Sequence, residues 1–303
     1  NNDSGYETAI EFKKNGINPL ILDTRKEPSS DIITEAKNLG IEIKYSYVVV
    51  AAKGYKKVKS ADIAKISDNK KDLSNIENIE CDCICVSGFW TPSIHLASQS
   101  GNKSEFNEKI DAFIPKKSKQ KENTIGSANG KFTLEETINE AFDKGYEVSN
   151  KITENNNKVS IPTVVEKKST EHDKFWCVPL PKGKSYKRFL DFQNDVAVTD
   201  IELALREGFR SIEHVKRYTT LGMATDQGKT SNLNGLQLVS DIENKVVPQV
   251  GHTTFRPPYT PVSIGAIVGR EVGKHSKPTR KSPMHEWHEK NNAVFVDAGV
   301  WLR

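Results

Sequence analysis

Apolar positions at Tyr6, Ala9, Ile10 and Phe12 recur at the spacing of one helix face, and Gly16 follows as a stop. Residues 5–14 therefore predict a short amphipathic helix. PLILDTR then reads as a strand ending at Asp23, and a second helix is predicted near 29–39. The run IEIKYSYVVVAAKGYKKVKSADIAKI alternates apolar and polar residues around Gly54, as a small antiparallel meander does. CDCICVSGFWTP reads as a buried strand of a parallel sheet that ends in a turn, with Cys81, Cys83 and Cys85 on one face. Residues 102–124 are polar and lysine-rich, hence a loop or insertion. In TIGSANGKFTLEETINEAFDKG a strand end and a glycine turn lead into a helix whose Thr133 and Glu136 fit a capping box. Residues 146–174 predict a surface connection, with a domain boundary near 170.

The pattern sharpens after Thr199. TDIELALREG carries an N-cap, a capping-box Glu202 and a closing glycine, and SIEHVKRYTTLG repeats the design from Ser211 to Gly222. These predict a helical hairpin, with a further helix starting near Ser231 or Asn232. The intervening TDQGKTSN is then a helix end, a glycine turn and a helix start. It would present several backbone N–H groups beside Lys229, Thr230 and Ser231, with Lys216 and Arg217 on the preceding helix. That chemistry suits a phosphate monoester; the alternative is a solvated loop whose hydroxyls merely cap helices. A Walker loop is excluded, because Met223 stands where its first glycine is needed.

Composition narrows the classes. A chain of 303 residues holds two or three folding units at roughly 100 to 200 residues each. With 36% hydrophobic and 28% charged residues and no long apolar run, no membrane role is expected. A net charge of +4, with lysines scattered among acids, gives no phosphate-tracking face, so no nucleic-acid partner is expected. The N-terminus shows no export signal, which points to the cytoplasm. It enters a helix directly, and FVDAGVWLR at the other end starts a new hydrophobic pattern, so the chain reads as cut from a longer protein. The four cysteines lack metal-site spacing, and buried thiols are expected. His285 and His288 stand at i and i+3 with no third ligand, and no metal site is assigned.

Two segments carry candidate binding chemistry besides TDQGKTSN. A turn, a helix and a strand closing on Asp23 give the layout of a dinucleotide-binding βαβ unit, in which the acid meets a ribose hydroxyl. The phosphate-binding glycines are missing, however: Asn1, Asn2, Asp3 and Ser4 occupy that turn, with only Gly5 nearby. The unit is expected to keep the fold and to have lost its nucleotide. At Ser127 and Asn129, open backbone N–H groups and a helix dipole would suit a phosphate or ribose, the alternative being an ordinary capped helix.

The run DFQNDVAVTDIELALREGFRSIEHVKRYTTLGMATDQGKTSNLNG, with TTFRPPYTPVSIGA after it, resembles the α subunits of heterotetrameric sarcosine oxidases. The resemblance extends, with decreasing clarity, over the whole chain. It implies an α/β fold: a disulfide-reductase-like dinucleotide-binding module, a small helical [2Fe-2S]-type domain lacking its cysteines, and the start of an α+β folate-binding domain like the aminomethyltransferases. The implied divisions are an NAD(H)-subdomain-like βαβ unit with its meander at 1–101, an insertion and return to the first dinucleotide subdomain at 102–170, and the helical domain at 171–250. A linker at 251–274 and the opening of the folate domain, SPMHEWHEKNNAVFVDAGVWLR, at 275–303 complete the chain.

In the resembled helical domain a cluster would be held at positions that fall here on Asp191, Gln193, Asp226 and Ser231, none of them a thiol. The family implies instead an FMN between the α and β subunits, attached covalently through β, with Arg217, Gln227, Lys229 and Thr230 toward its phosphate. NAD is implied at Gly126, Ser127, Asn129, Phe132 and Thr133; relatives carry aspartate at Ser127, where a flavin sugar would bind. The implied reaction oxidises sarcosine with O2 and tetrahydrofolate to glycine, H2O2 and methylenetetrahydrofolate, with β, γ and δ subunits as partners. No catalytic residue falls in this chain, and His214 is expected on a helix surface. The alternatives are the α subunit of a related amino-acid or opine dehydrogenase, and a non-catalytic NAD-binding scaffold.

Overall fold

A computed structural model describes residues 1–88, 90–153, 160–164, 172–258, 260–269, 273 and 278–303. It is a mixed α/β structure of two compact units, Asn1–Tyr259 and Thr260–Arg303. The boundary expected near 170 lies outside the described residues.

The first unit opens with α1 (Ser4–Lys14), β1 (Leu20–Asp23), α2 (Asp31–Asn38) and β2 (Glu42–Tyr45). β1 and β2 pair in parallel across α2 in a βαβ crossover, so Glu42–Tyr45 stands outside the antiparallel meander expected from Ile41 onward. Tyr6, Ala9 and Ile10 of α1 pack with Ile33, Ala36 and Ile41 in a small core. The meander follows as β3 (Tyr47–Gly54) and β4 (Val58–Ile66), extended by β5 (Leu73–Glu80) into a three-stranded antiparallel sheet. Gly54 turns the β3–β4 hairpin at φ 150°, where a Cβ would stand 1.9 Å from the Lys57 carbonyl oxygen.

Three expectations fail in the segments that follow. Cys81–Ser87 is irregular rather than a buried strand of the parallel β1–β2 sheet, and Cys83 and Cys85 are exposed. After α3 (His95–Gln99), residues 102–124 are not a plain loop. They form the hairpin of β6 (Ser104–Asn107) and β7 (Ala112–Pro115), whose Phe106 and Phe113 pack on the helical core. A 3-10 turn, Gly126–Asn129, leads into α4 (Leu134–Thr153), which runs well into the expected 146–174 connection. The predicted capping box is present: Thr133 Oγ1 accepts from the Glu136 N–H, and Glu136 accepts from Thr133 N–H.

The helical module begins with β8 (Phe189–Asp191) and β9 (Val196–Ala197), then α5 (Val198–Arg206), α6 (Ile212–Thr219), α7 (Asn232–Glu243) and α8 (Val247–Val250). The cap of α5 differs from expectation: Ala197, not Thr199, is the N-cap, and Asp200 rather than Glu202 accepts its N–H. Glu202 pairs instead with Arg188. Ile201, Ala204, Val215, Leu221, Leu236 and Val239 form the centre of this core. The second unit holds α9 (Ile264–Val268), β10 (Arg280–Lys281), α10 (His285–Lys290), β11 (Asp297–Ala298) and β12 (Trp301–Leu302), with β12 central in a small mixed sheet. His285 is buried against Phe295, with ring centroids 4.4 Å apart. No helix among the described residues is long and apolar enough to cross a membrane.

Candidate functional site

The dinucleotide layout at the start of the chain is closed by its own side chains. Asn2, buried at 7% exposure, places Oδ1 where it accepts from Ser4 N–H, Ser4 Oγ and Ser87 Oγ. A side-chain amide thus occupies the helix start where a pyrophosphate would approach. Asp23, the acid expected to meet a ribose, accepts from Tyr6 Oη at 2.7 Å and from Arg25 Nε and Nη2. Arg25 also pairs with Asp3 at 2.8 Å. Burial by itself would raise the Asp23 carboxyl, but the Arg25 and Tyr6 hydrogen bonds outweigh it and hold the group below its ordinary value of 3.8.

A group whose folded pKa is lowered contributes stability above its unfolded pKa and loses it as pH falls through the folded value. Wild-type stability is therefore expected to drop as pH falls below about 4. Tyr6→Phe should cost about 1 kcal/mol at neutral pH and flatten that acid limb. Urea unfolding between pH 7 and pH 3 measures both; an identical acid limb in the variant would remove Tyr6 from the account.

The turn expected to bind NAD is likewise engaged from within. Glu140, one helix face away on α4, accepts from the Gly126 backbone N–H at 2.7 Å and from Asn129 Nδ2 at 2.6 Å. The N–H expected to be open above Ser127 and Asn129 is thus taken by a carboxylate. Thr133 is committed to capping α4, and Gly126 holds φ 66° beside Thr137. Phe132 is half-buried.

The TDQGKTSN loop shows the same economy. Asp191 is buried and accepts from Gly222 N–H at 2.9 Å through Oδ2, and from Gln193 and Asn194 N–H through Oδ1. Asp226 accepts from Gly228 N–H and from Thr230 Oγ1. Thr225 Oγ1 donates to Gln193 Oε1. Of the four positions Asp191, Gln193, Asp226 and Ser231, the first two tie the loops together by accepting from Gly222 N–H and Thr225 Oγ1, and Asp226 accepts within its own loop. The fourth, Ser231, is buried with its hydroxyl unpartnered. The N–H groups of Met223, Gln227, Lys229 and Asn232 are satisfied by carbonyls of the same loop. The phosphate cradle of open N–H groups expected here is thus largely used up locally.

The four residues expected around a phosphate separate. Lys229 lines a pocket of about 120 Å³. Arg217 is exposed on α6 and pairs with Glu213 at 3.4 Å. Gln227 donates its amide to the Ala224 carbonyl and accepts from Arg256 N–H, while Thr230 is held by Asp226. His214 is exposed, as expected.

Sequence reasoning missed the pocket's other walls: His95, Phe113, Asn232, Thr253 and Phe255. His95, from the start of α3, meets the Gln227 carbonyl at 3.2 Å and stacks on Phe255 with centroids 3.8 Å apart. Burial holds its imidazole below the usual histidine range, so the ring is neutral at pH 7. Asn232 donates to Thr253 Oγ1 and to the Gln227 carbonyl, and its Oδ1 has no partner. The strap carrying Thr253 and Phe255 is clamped at one peptide: Thr254 N–H donates to Glu213, and its carbonyl accepts from buried Lys216. The only local signal for this wall was the turn-rich TTFRPP itself; nothing near His95 in sequence points to a loop 132 residues away.

Chemically, the pocket offers one cation, one neutral imidazole and an unmatched amide oxygen among apolar rings. Whole small-molecule sites run to about 300–1,000 Å³, so this volume suits one phosphate-sized group and not an entire flavin nucleotide. Among the described residues no group of three or more His, Cys, Asp or Glu side chains is placed to hold a metal ion.

Residues 185–270 match the family model described as the sarcosine oxidase A3 domain. Along its whole length the chain is 34% identical to sarcosine oxidase subunit alpha of Rhizobium meliloti (strain 1021), of which it covers 29%. It is 32% identical to the subunit alpha of Corynebacterium sp. (strain U-96), again over the whole chain and 32% of that relative. The chain thus spans about a third of the length of the curated relatives it matches. A crystal structure of L-proline dehydrogenase from P. horikoshii aligns over 83% of this chain and 49% of that one, at 20% identity and a TM-score of 0.48, a likeness too loose to carry an argument.

Proposed function

From a chain homologous over its whole length with sarcosine oxidase α subunits, and matching their A3 domain at 185–270, we propose that it forms part of such an α subunit. The complete protein is then an oxidoreductase acting on an amine. It oxidises sarcosine with O2 and tetrahydrofolate to glycine, H2O2 and methylenetetrahydrofolate, together with β, γ and δ subunits. This chain contributes NAD binding, half of an FMN site and the start of the folate domain.

The observation that carries the reading is the Lys229 pocket, which the matched A3 segment lines together with residues 91–95 and Phe113, and which is sized for a phosphate rather than for a flavin. Lys229 fits such a phosphate as a point charge, and Asn232 and Thr253 supply polar edges. Arg217 adds positive potential from α6, while Gln227 and Thr230 fix the loop that presents Lys229. FMN bound there would carry electrons between the amine and oxygen, with its ring outside this chain. NAD fits less directly at Gly126, Ser127, Asn129, Phe132 and Thr133. Because Glu140 already holds two of the donors, the contact proposed is between that carboxylate and ribose hydroxyls.

A specific observation favours a second reading, the non-catalytic NAD-binding scaffold: the 222–232 loop satisfies most of its own N–H groups. The two are separated by co-expressing the complete α subunit with its partner subunits and changing Arg217 and Lys229 together to Ala. Loss of the Lys229 cation at the phosphate, together with the more distant positive potential of Arg217, is expected to lower flavin incorporation at least about tenfold, read as FMN per assembled complex. Full flavin occupancy in a correctly assembled double variant leaves only the scaffold.

A further inference from the structure

Away from these sites, the irregular Cys81–Ser87 segment brings two exposed thiols together. Cys83 and Cys85 stand with Sγ atoms 3.8 Å apart, and all four cysteines of the chain are free. In a regular strand both side chains would share a face yet remain fixed by the ladder. Among the described residues no ladder bond holds the segment between Asp82 and Ser87, so the backbone is able to close the remaining gap to the roughly 2.05 Å of an S–S bond. Nothing in the proposed function uses these thiols.

We infer that Cys83 and Cys85 form a reversible dithiol–disulfide site that exchanges with small-molecule disulfides. The Cys85 thiolate attacks one sulfur of the incoming disulfide and displaces the other as a thiolate, leaving a mixed disulfide on Cys85. The Cys83 thiolate then attacks the Cys85 sulfur, forming the internal bond and releasing the second small thiol. Two protein thiols are oxidised, one external disulfide is reduced to two thiols, and the two protons pass to the departing thiolates. Partial burial and the neighbouring Cys83 raise the Cys85 thiol above its ordinary range, which keeps that thiol protonated at neutral pH. Exposure makes the bond labile once formed. Ser87 and Gly88, just beyond, are hydrogen-bonded to Ser4 and Asn2, so closure would pull on the start of α1.

The test equilibrates the full chain in glutathione buffers from reduced to oxidised, alkylates remaining thiols and digests with trypsin. Peptide 72–103 contains Cys81, Cys83 and Cys85 and no other cysteine. In wild type and in Cys81→Ser this peptide is expected to lose two hydrogens in oxidised buffer and regain them with excess reduced glutathione. Cys83→Ser and Cys85→Ser should abolish the loss, and fragmentation of the wild-type peptide should place the cross-link between 83 and 85. Formation should accelerate about tenfold per pH unit near neutrality. The inference is overturned if no loss occurs in oxidised buffer, or if the loss survives in either Cys83→Ser or Cys85→Ser.

Discussion

Gly228→Ala is expected to destabilise the chain by about 3–5 kcal/mol, the largest effect of any single substitution proposed. Two costs add. Gly228 holds φ 72°, a left-handed conformation that costs an L side chain roughly 1–2 kcal/mol. Its Cβ would also stand 2.1 Å from Asn232 Oδ1 and 2.2 Å from Asn232 Cγ. Asn232 cannot simply swing aside, because it is buried and its amide holds Thr253 and the Gln227 carbonyl. Gly222, at φ 65°, faces the same amide, with a Cβ 2.0 Å from Oδ1. The pocket wall at Lys229 thus depends on two glycines closing around one asparagine. Urea unfolding measures the cost, and Gly228→Ala combined with Asn232→Ala should recover the overlap part while leaving the dihedral part. A single-variant loss under about 1 kcal/mol would mean that the loop opens without resistance.

Asp191→Ala is expected to cost about 3 kcal/mol, and Asp191→Asn about half as much. The buried carboxylate accepts three backbone N–H groups, and the Gly222 donor is itself buried. Alanine leaves all three without acceptors, whereas asparagine keeps one carbonyl oxygen and loses the charge. Hydrogen exchange at the Gly222 amide should speed in step with the loss of stability, because Asp191 is the acceptor of that buried N–H. A change within about 0.5 kcal/mol, with Gly222 exchange unaltered, would show that water replaces the carboxylate. The outcome tests whether the Asp191 carboxylate is what ties the 191–194 turn to the loop at Gly222.

The helices α1, α2, α6 and α7, the β3–β4 hairpin and the Thr133–Glu136 cap were legible in the amino-acid order. Each is decided within about one helical turn or one hairpin, by the period of apolar residues, a capping hydroxyl or a turn glycine. Their contents as binding sites were not. Asn2 at the start of α1, Glu140 at the Gly126 turn and Asp191 at Gly222 each take donors that the order alone leaves open. His95 and Phe255 build a wall of the Lys229 pocket from segments far apart in the chain. An apolar alternation likewise put Cys83 and Cys85 in a buried strand, although the segment joins no sheet and both side chains are exposed. Sequence determined where helices and turns begin, because backbone geometry and caps act over a few residues. Only tertiary packing decided which N–H groups remain for a ligand, because a donor is satisfied by whichever acceptor the fold brings within about 3 Å, however distant in sequence.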